Sequence, residues 1–114
     1  MTAKFLRQLQ PEQLLLVCAG TRENAALEDI LAAGAICEML AARGDARPTL
    51  SDSAEIARRA YLQSKSELAA TICGSENARR LLAIPELRDD VLFCLQPDVF
   101  PLVAKMENGA IRKI

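Results

Sequence analysis

From residue 14 to residue 19 the chain is continuously apolar, Leu14-Leu15-Leu16-Val17-Cys18-Ala19, and it runs straight into Gly20. Pro11 stands just upstream and closes whatever helix comes before. An apolar run this short, bounded by proline and glycine, has the length of a strand and not of a helix. Every position is apolar instead of every second one, so both faces need cover, as in a parallel sheet with helices on each side. The expectation is an α/β chain, a three-layer α/β/α-type partial domain. It would have a buried parallel strand at residues 14–18, helices after it, and a C-terminal β-hairpin. Residues 1–114 read as a single domain.

Helical spacing recurs on both sides of this run. Phe5, Leu6 and Leu9 share one face of a helix over residues 3–10. Residues 20–25 are a polar loop, where Thr21 or Asn24 could cap the next helix. That helix spans residues 26–42, with Leu27, Ile30, Leu31, Gly34, Cys37, Leu40 and Ala41 in one stripe. The small residues Ala32-Ala33-Gly34-Ala35 allow another element to come close. A loop is expected at residues 44–48, and Ser51, Asp52 or Ser53 caps a second long helix reaching about residue 73. Gly74-Ser75 breaks it, residues 76–82 form a shorter helix with Arg79-Arg80 outward, and Pro85 stops that one. Residues 87–95 are helix-like, with a strand also possible. Residues 100–106 read as a strand, Asn108-Gly109 suits a type I′ turn, and residues 111–114 pair back. One strand and one hairpin cannot make a full doubly wound sheet. The partners of residues 14–18 are therefore expected from another chain or from sequence outside this one.

Composition removes several classes of function. The net charge is −1 and aromatic residues are 4% of the chain, which leaves neither a basic footprint nor a base-stacking platform for nucleic acid. No apolar run approaches the roughly 20 residues that cross a bilayer, and the first residues lack the apolar core of a signal peptide. The four cysteines, Cys18, Cys37, Cys73 and Cys94, are widely and irregularly spaced, with no histidine anywhere. Each has apolar neighbours, so buried free thiols in a reducing cytoplasm are expected, and a zinc site is not. Without histidine there is no Ser-His-Asp or Cys-His pair. Cys18 has no visible base to activate it.

The chemistry-bearing residues cluster where the apolar run meets the first long helix. Open α/β sheets bind ligands beyond the carboxyl ends of their strands. In Cys18-Ala19-Gly20-Thr21-Arg22, Gly20 permits a tight turn, Thr21 brings a hydroxyl and Arg22 a guanidinium fork suited to phosphate or sulfonate. The helix start adds N–H groups and a positive dipole end. Two readings stand: an oxyanion seat, or an ordinary turn that contains an arginine. Glu28 and Asp29 in the first helical turn likewise read either as magnesium ligands or as dipole compensation. Asp89-Asp90 could cap the segment they precede, Asp98 could start a turn, and Asn77 with Arg79-Arg80 could line a site or face solvent.

Several of these stretches, in order, resemble the 2-phosphosulfolactate phosphatase family. Leu15-Leu16-Val17-Cys18-Ala19-Gly20-Thr21 looks like its VCAGT turn, and Ala26-Leu27-Glu28-Asp29-Ile30-Leu31-Ala32-Ala33-Gly34-Ala35 like its following helix. Asp52-Ser53-Ala54 with Ala60-Tyr61, the stretch from Ser75 to Leu82, Asp90-Val91-Leu92-Phe93-Cys94, and Asn108-Gly109-Ala110-Ile111 follow in sequence, so that the likeness covers roughly residues 4–112. The resemblance implies a cytoplasmic phosphoric monoester hydrolase. Its reaction is Mg²⁺-dependent conversion of (2R)-2-phospho-3-sulfolactate to 3-sulfolactate and phosphate, in coenzyme M biosynthesis. Gly20, Thr21 and Arg22 would hold phosphate or sulfonate oxygens, and Glu28 and Asp29 would bind or orient Mg²⁺. No nucleophile is assigned within this chain. The family's enzymes are longer, so this chain corresponds to their C-terminal half. Its expected partners are a small anionic substrate and either a second copy of itself or the N-terminal half, with no nucleic acid and no membrane. The alternative is a non-catalytic α/β module that holds a small anion or self-associates.

Overall fold

The computed structural model describes residues 1–42 and 48–114; most of the loop expected at residues 44–48 lies outside the described residues. Helix α1 is Thr2–Leu9. It stops at Gln10, which turns left-handed (φ 47°) and donates its N–H back to Leu6 O at 3.0 Å. Pro11 follows and cannot continue a helix. Arg7 ties α1 down by donating to Met39 O at 3.2 Å.

Helix α2, Leu27–Ala41, and helix α3, Asp52–Ser64, form the packed centre. The face that α2 buries is Leu31, Gly34 and Cys37, a subset of the expected stripe; α3 answers with Ala57. Small residues set the distance between the helices. A Cβ placed on Gly34 would lie 2.1 Å from Ala57 O, inside any allowed contact. A carboxylate–guanidinium cluster flanks this crossing. Arg58 donates to Glu38 at 2.6 Å and to Glu55 at 2.9 Å, and Arg59 donates to Glu55 at 2.7 Å. These hydrogen bonds, from Arg58 first and Arg59 second, hold the Glu55 carboxyl down at about 2 and push the Arg58 guanidinium up. Ser51 caps α3 as expected, accepting from Ala54 N–H at 3.4 Å.

The second long helix does not run unbroken to residue 73. It ends at Ser64, whose hydroxyl donates back to Ala60 O at 2.9 Å, and a 3₁₀ turn (Lys65–Glu67) leads into α4, Leu68–Cys73. A hydroxyl bonded to its own helix in this way competes with the ladder and bends it. Helix α5, Glu76–Leu82, opens on Ser75, which is buried and accepts from Ala78 N–H at 3.2 Å. After a 3₁₀ turn begun by Pro85, Arg88–Cys94 is helix α6, which resolves the helix-or-strand alternative. Strands β1, Ala104–Glu107, and β2, Ala110–Lys113, pair antiparallel with Met106 opposite Ile111. Asn108 (φ 51°) and Gly109 (φ 76°) are both left-handed, as a type I′ turn requires.

The α/β class holds as helices plus this two-stranded sheet. The buried parallel strand at residues 14–18 does not. No ladder forms there, Leu15 is 84% exposed and Val17 82%, and residues 11–19 make no backbone–backbone hydrogen bond among the described residues. A strand exists only through its neighbour, and the described residues offer none that reaches this segment. The three-layer arrangement needs that sheet and is not seen among the described residues. The thiol expectation also needs correction. Cys37 alone is buried, and burial pushes its thiol up; Cys73 is half-buried, and Cys18 and Cys94 are exposed. Cys18 lies on the uncovered segment, so it shares its exposure.

Candidate functional site

The turn after the apolar segment closes on itself. Thr21 N–H donates to Asn24 O at 2.9 Å and Asn24 N–H returns to Thr21 O at 3.1 Å. Arg22 sits at the apex in the left-handed region (φ 56°). Gly20 is also left-handed (φ 70°), and a Cβ there would meet Asn24 O at 2.6 Å. Glycine is thus needed twice at this position, for conformation and for space.

The acidic pair at the start of α2 divides its work. Asp29 accepts from Gly20 N–H at 2.7 Å and so pins the turn to the helix. Glu28 accepts from the Asn77 amide at 2.6 Å through Oε1, while its Oε2 is buried with no hydrogen-bond partner. The same Asn77 Nδ2 donates to Thr21 Oγ1. Because that hydroxyl accepts from Asn77, its own hydrogen is left to donate to something else. Neither Thr21 nor Asn24 caps α2. Ala26 takes the N-cap position without a side-chain bond, which leaves first-turn N–H groups uncapped by any side chain.

These residues border a cavity of ≈ 330 Å³ lined by Thr21, Arg22, Asn24, Glu28, Ser75, Glu76, Asn77 and Arg80, among others. A second, largely apolar cavity of ≈ 390 Å³ adjoins it and shares Glu28 and Asn77 as a wall. The turn's own backbone donors are largely spent inside the turn and on Asp29. An anion seated at this turn would therefore be met by side chains, the Thr21 hydroxyl and the Arg22 guanidinium; Arg80 of α5 lines the same cavity. The Glu28 Oε2 is buried and unpartnered, and a lone carboxylate oxygen is costly to bury without a proton or a cation. Asp29 has one oxygen committed to Gly20, so any metal role falls to its other oxygen. Among the described residues no group of three or more Cys, Asp or Glu side chains is placed to hold a metal. Mg²⁺ needs no such group, as it takes one or two carboxylates with substrate and water.

The structure thus brings together Gly20, Thr21, Arg22, Glu28 and Asp29, and adds Asn77 and Arg80. Sequence reasoning left Asn77 open between site and solvent. The available signal was Ser75 as an N-cap, which places Asn77 in the first helical turn, but nothing local says that this turn faces Thr21. Arg79 points elsewhere, donating to Gly74 O at 2.7 Å. Asp89 and Asp90 occupy the first turn of α6, with Asp90 on the rim of the apolar cavity, and no side chain caps that helix. Asp98 is left-handed (φ 55°) and exposed, and accepts from the Met1 amino group at 2.6 Å.

Comparison with known proteins adds an independent line. The family described as 2-phosphosulpholactate phosphatase matches residues 1–109. A probable 2-phosphosulfolactate phosphatase of Thermotoga maritima is 36% identical over 98 residues, 86% of this chain and 40% of that protein. One from Caldanaerobacter subterraneus is 33% identical over 101 residues, covering 86% of this chain and 39% of its own length. One from Synechocystis is 29% identical over 107 residues, 94% of this chain and 44% of its own. The chain spans about 40% of the length of the curated relatives it matches, on their C-terminal side. No solved structure matches it. No helix of the described residues is long and apolar enough to cross a membrane.

Proposed function

This chain belongs to the 2-phosphosulpholactate phosphatase family, and from that premise we propose that its turn-and-helix site is the anion- and cation-holding part of a Mg²⁺-dependent phosphoric monoester hydrolase. The substrate class is a small phosphorylated hydroxy acid with a second acidic group, (2R)-2-phospho-3-sulfolactate in the family's naming. Hydrolysis gives 3-sulfolactate and phosphate in cytoplasmic coenzyme M biosynthesis. The observation that carries this reading is the Asn77 amide bridging Thr21 Oγ1 and Glu28 Oε1 while Glu28 Oε2 stays buried and unpartnered, in a cavity that Arg22 also lines.

In this reading the residues divide as follows. Gly20 shapes the turn, and Asp29 anchors it. The Thr21 hydroxyl and the Arg22 fork take phosphate or sulfonate oxygens by charge-assisted hydrogen bonds. Glu28, with the second oxygen of Asp29, holds Mg²⁺. When bound, the ion neutralises charge on the phosphoryl group. Among the described residues no group is placed as a nucleophile, so in this reading the attacking oxygen and its base come from outside them. A second copy or the remaining length of a family protein supplies them. It also pairs with residues 14–19, whose exposed Leu15 and Val17 favour assembly over a free-standing module.

The test is turnover of 2-phosphosulfolactate with Mg²⁺ by a full-length family protein carrying this segment. Glu28→Ala should lower turnover by roughly a hundredfold or more. Full Mg²⁺-dependent turnover by that variant overturns the metal role of Glu28.

A further inference from the structure

Arg80, which the sequence leaves open between lining a site and facing solvent, lines the same cavity as Arg22. Its guanidinium does not hang free. Nη2 donates to Asn77 Oδ1 at 3.3 Å, while the other end of the same amide donates to Glu28 and Thr21. Only one orientation of the amide is acceptable. Turned over, Asn77 would set its oxygen against the Glu28 carboxylate and its NH₂ against a guanidinium. The charges on either side therefore lock Asn77, and Asn77 gives Arg80 a fixed seat at the rim.

From this seat we infer that Arg80 is a specificity-determining residue that takes the second anionic group of the substrate, with Asn77 as the positioning residue that sets it there. The inference rests on the anion-site reading above and deepens it. A guanidinium has five N–H donors, and one bond to Asn77 leaves the rest of the fork for a carboxylate or sulfonate. Arg22 and Arg80 come from different elements, the turn apex and α5, and line one cavity, so each guanidinium can take its own anionic group on one small molecule. The cavity volume of ≈ 330 Å³ agrees, being in the range of small-molecule sites and larger than a single oxyanion needs. The negative lining residues Glu28 and Glu76 oppose the two arginines, so affinity for an anion depends on guanidinium geometry more than on bulk charge.

Titration calorimetry on the 114-residue chain, in saturating Mg²⁺, tests this with two probes: inorganic phosphate, with one anionic group, and 2-phosphoglycolate, with two. The unaltered chain should bind phosphoglycolate about tenfold more tightly than phosphate or better, the value of one charge-assisted contact. Arg80→Gln should erase that advantage and leave phosphate binding within about twofold. Asn77→Ala should erode the same advantage by releasing Arg80. Arg22→Gln should weaken both probes. Arg79→Gln, which removes an equal charge one residue away but outside the cavity lining, should change neither. Arg80→Gln lowering both probes alike, or lowering neither, overturns the inference while leaving the anion site standing. Failure of the unaltered chain to bind either probe overturns the anion site, and this inference with it. Circular dichroism of each variant separates loss of binding from loss of fold, and retained helicity is expected for Arg80→Gln because Arg80 is exposed.

Discussion

At the scale of single residues, the site is legible in sequence where backbone geometry dictates the residue and illegible where a distant helix supplies it. Gly20 is of the first kind. Its φ of 70° and the 2.6 Å approach to Asn24 O leave no room for a side chain, and glycine between an apolar run and a polar loop signals such a turn. Asn77 is of the second kind: its partners Thr21 and Glu28 lie 56 and 49 residues away, and no local pattern encodes that meeting. Asp29 is intermediate. An acid in the first turn of a helix is ordinary, but its bond to Gly20 N–H makes it a strut of the turn. Gly20→Ala should therefore cost more than the roughly 1–2 kcal/mol of a left-handed alanine, because the Asn24 carbonyl must also move. A thermal melt should show a fall of at least several degrees. Asp29→Asn should cost less, about 1 kcal/mol, since an amide oxygen still accepts from Gly20 N–H but without the charge. Equal melting temperatures for Gly20→Ala and the unaltered chain would mean that the turn differs from the one described.

At the scale of elements, helices were readable because period and caps are local, and the sheet was not, because pairing is not local. Ser51 and Ser75 cap the helices they precede. The Ala32-Ala33-Gly34-Ala35 stretch announced a close approach, which Gly34 makes against Ala57 O. Gly34→Ala sets two effects against each other. Alanine favours the helix by about 1 kcal/mol, whereas forcing a Cβ to 2.1 Å from a backbone oxygen brings an overpacking cost of about 1–3 kcal/mol. Backbone cannot rotate out of the way as a side chain can, so net destabilisation is expected, read as a lower urea midpoint. The ion cluster beside this crossing gives a pH signature. Glu55 titrates at about 2 in the fold against 4.5 when free of its arginines. A depressed carboxyl stabilises the fold above the unfolded value, and that stabilisation is lost as pH falls from about 4.5 through about 2. Glu55→Gln should thus lower the melting temperature at neutral pH, with the difference from the unaltered chain shrinking across that interval. A constant difference down to pH 2 would show that Glu55 acts through something other than its charge.

At the scale of the whole molecule, the exposed apolar segment is one part of a wider deficit of burial. A compact monomer of 12.4 kDa should expose about 6,100 Å², but this chain exposes 8904 Å². Its radius of gyration is 15.3 Å where a compact chain of this length has about 13 Å. Exposed Leu15, Val17, Met106 and Ile111 account for part of the excess, and both strands of the hairpin are uncovered on each face. These surfaces match what the sequence demanded at residues 14–19, a run apolar on both sides that needs a sheet around it. The described residues do not satisfy that requirement. Satisfaction from another polypeptide segment predicts a specific pattern of amide exchange. In dilute solution the amides of residues 14–19 should exchange at nearly the rate of unstructured peptide, since they have no ladder partner, while those around Leu31 and Cys37 in α2 should be slow. Raising the concentration until the mass doubles should slow the amides of residues 14–19 if a second copy supplies the sheet. Slowing only when the remaining length of a family protein is added would assign the sheet to that part instead. Slow exchange at residues 14–19 in a strictly monomeric sample would mean that the segment has a partner within the chain after all, and would overturn the unpaired arrangement from which the need for assembly is argued.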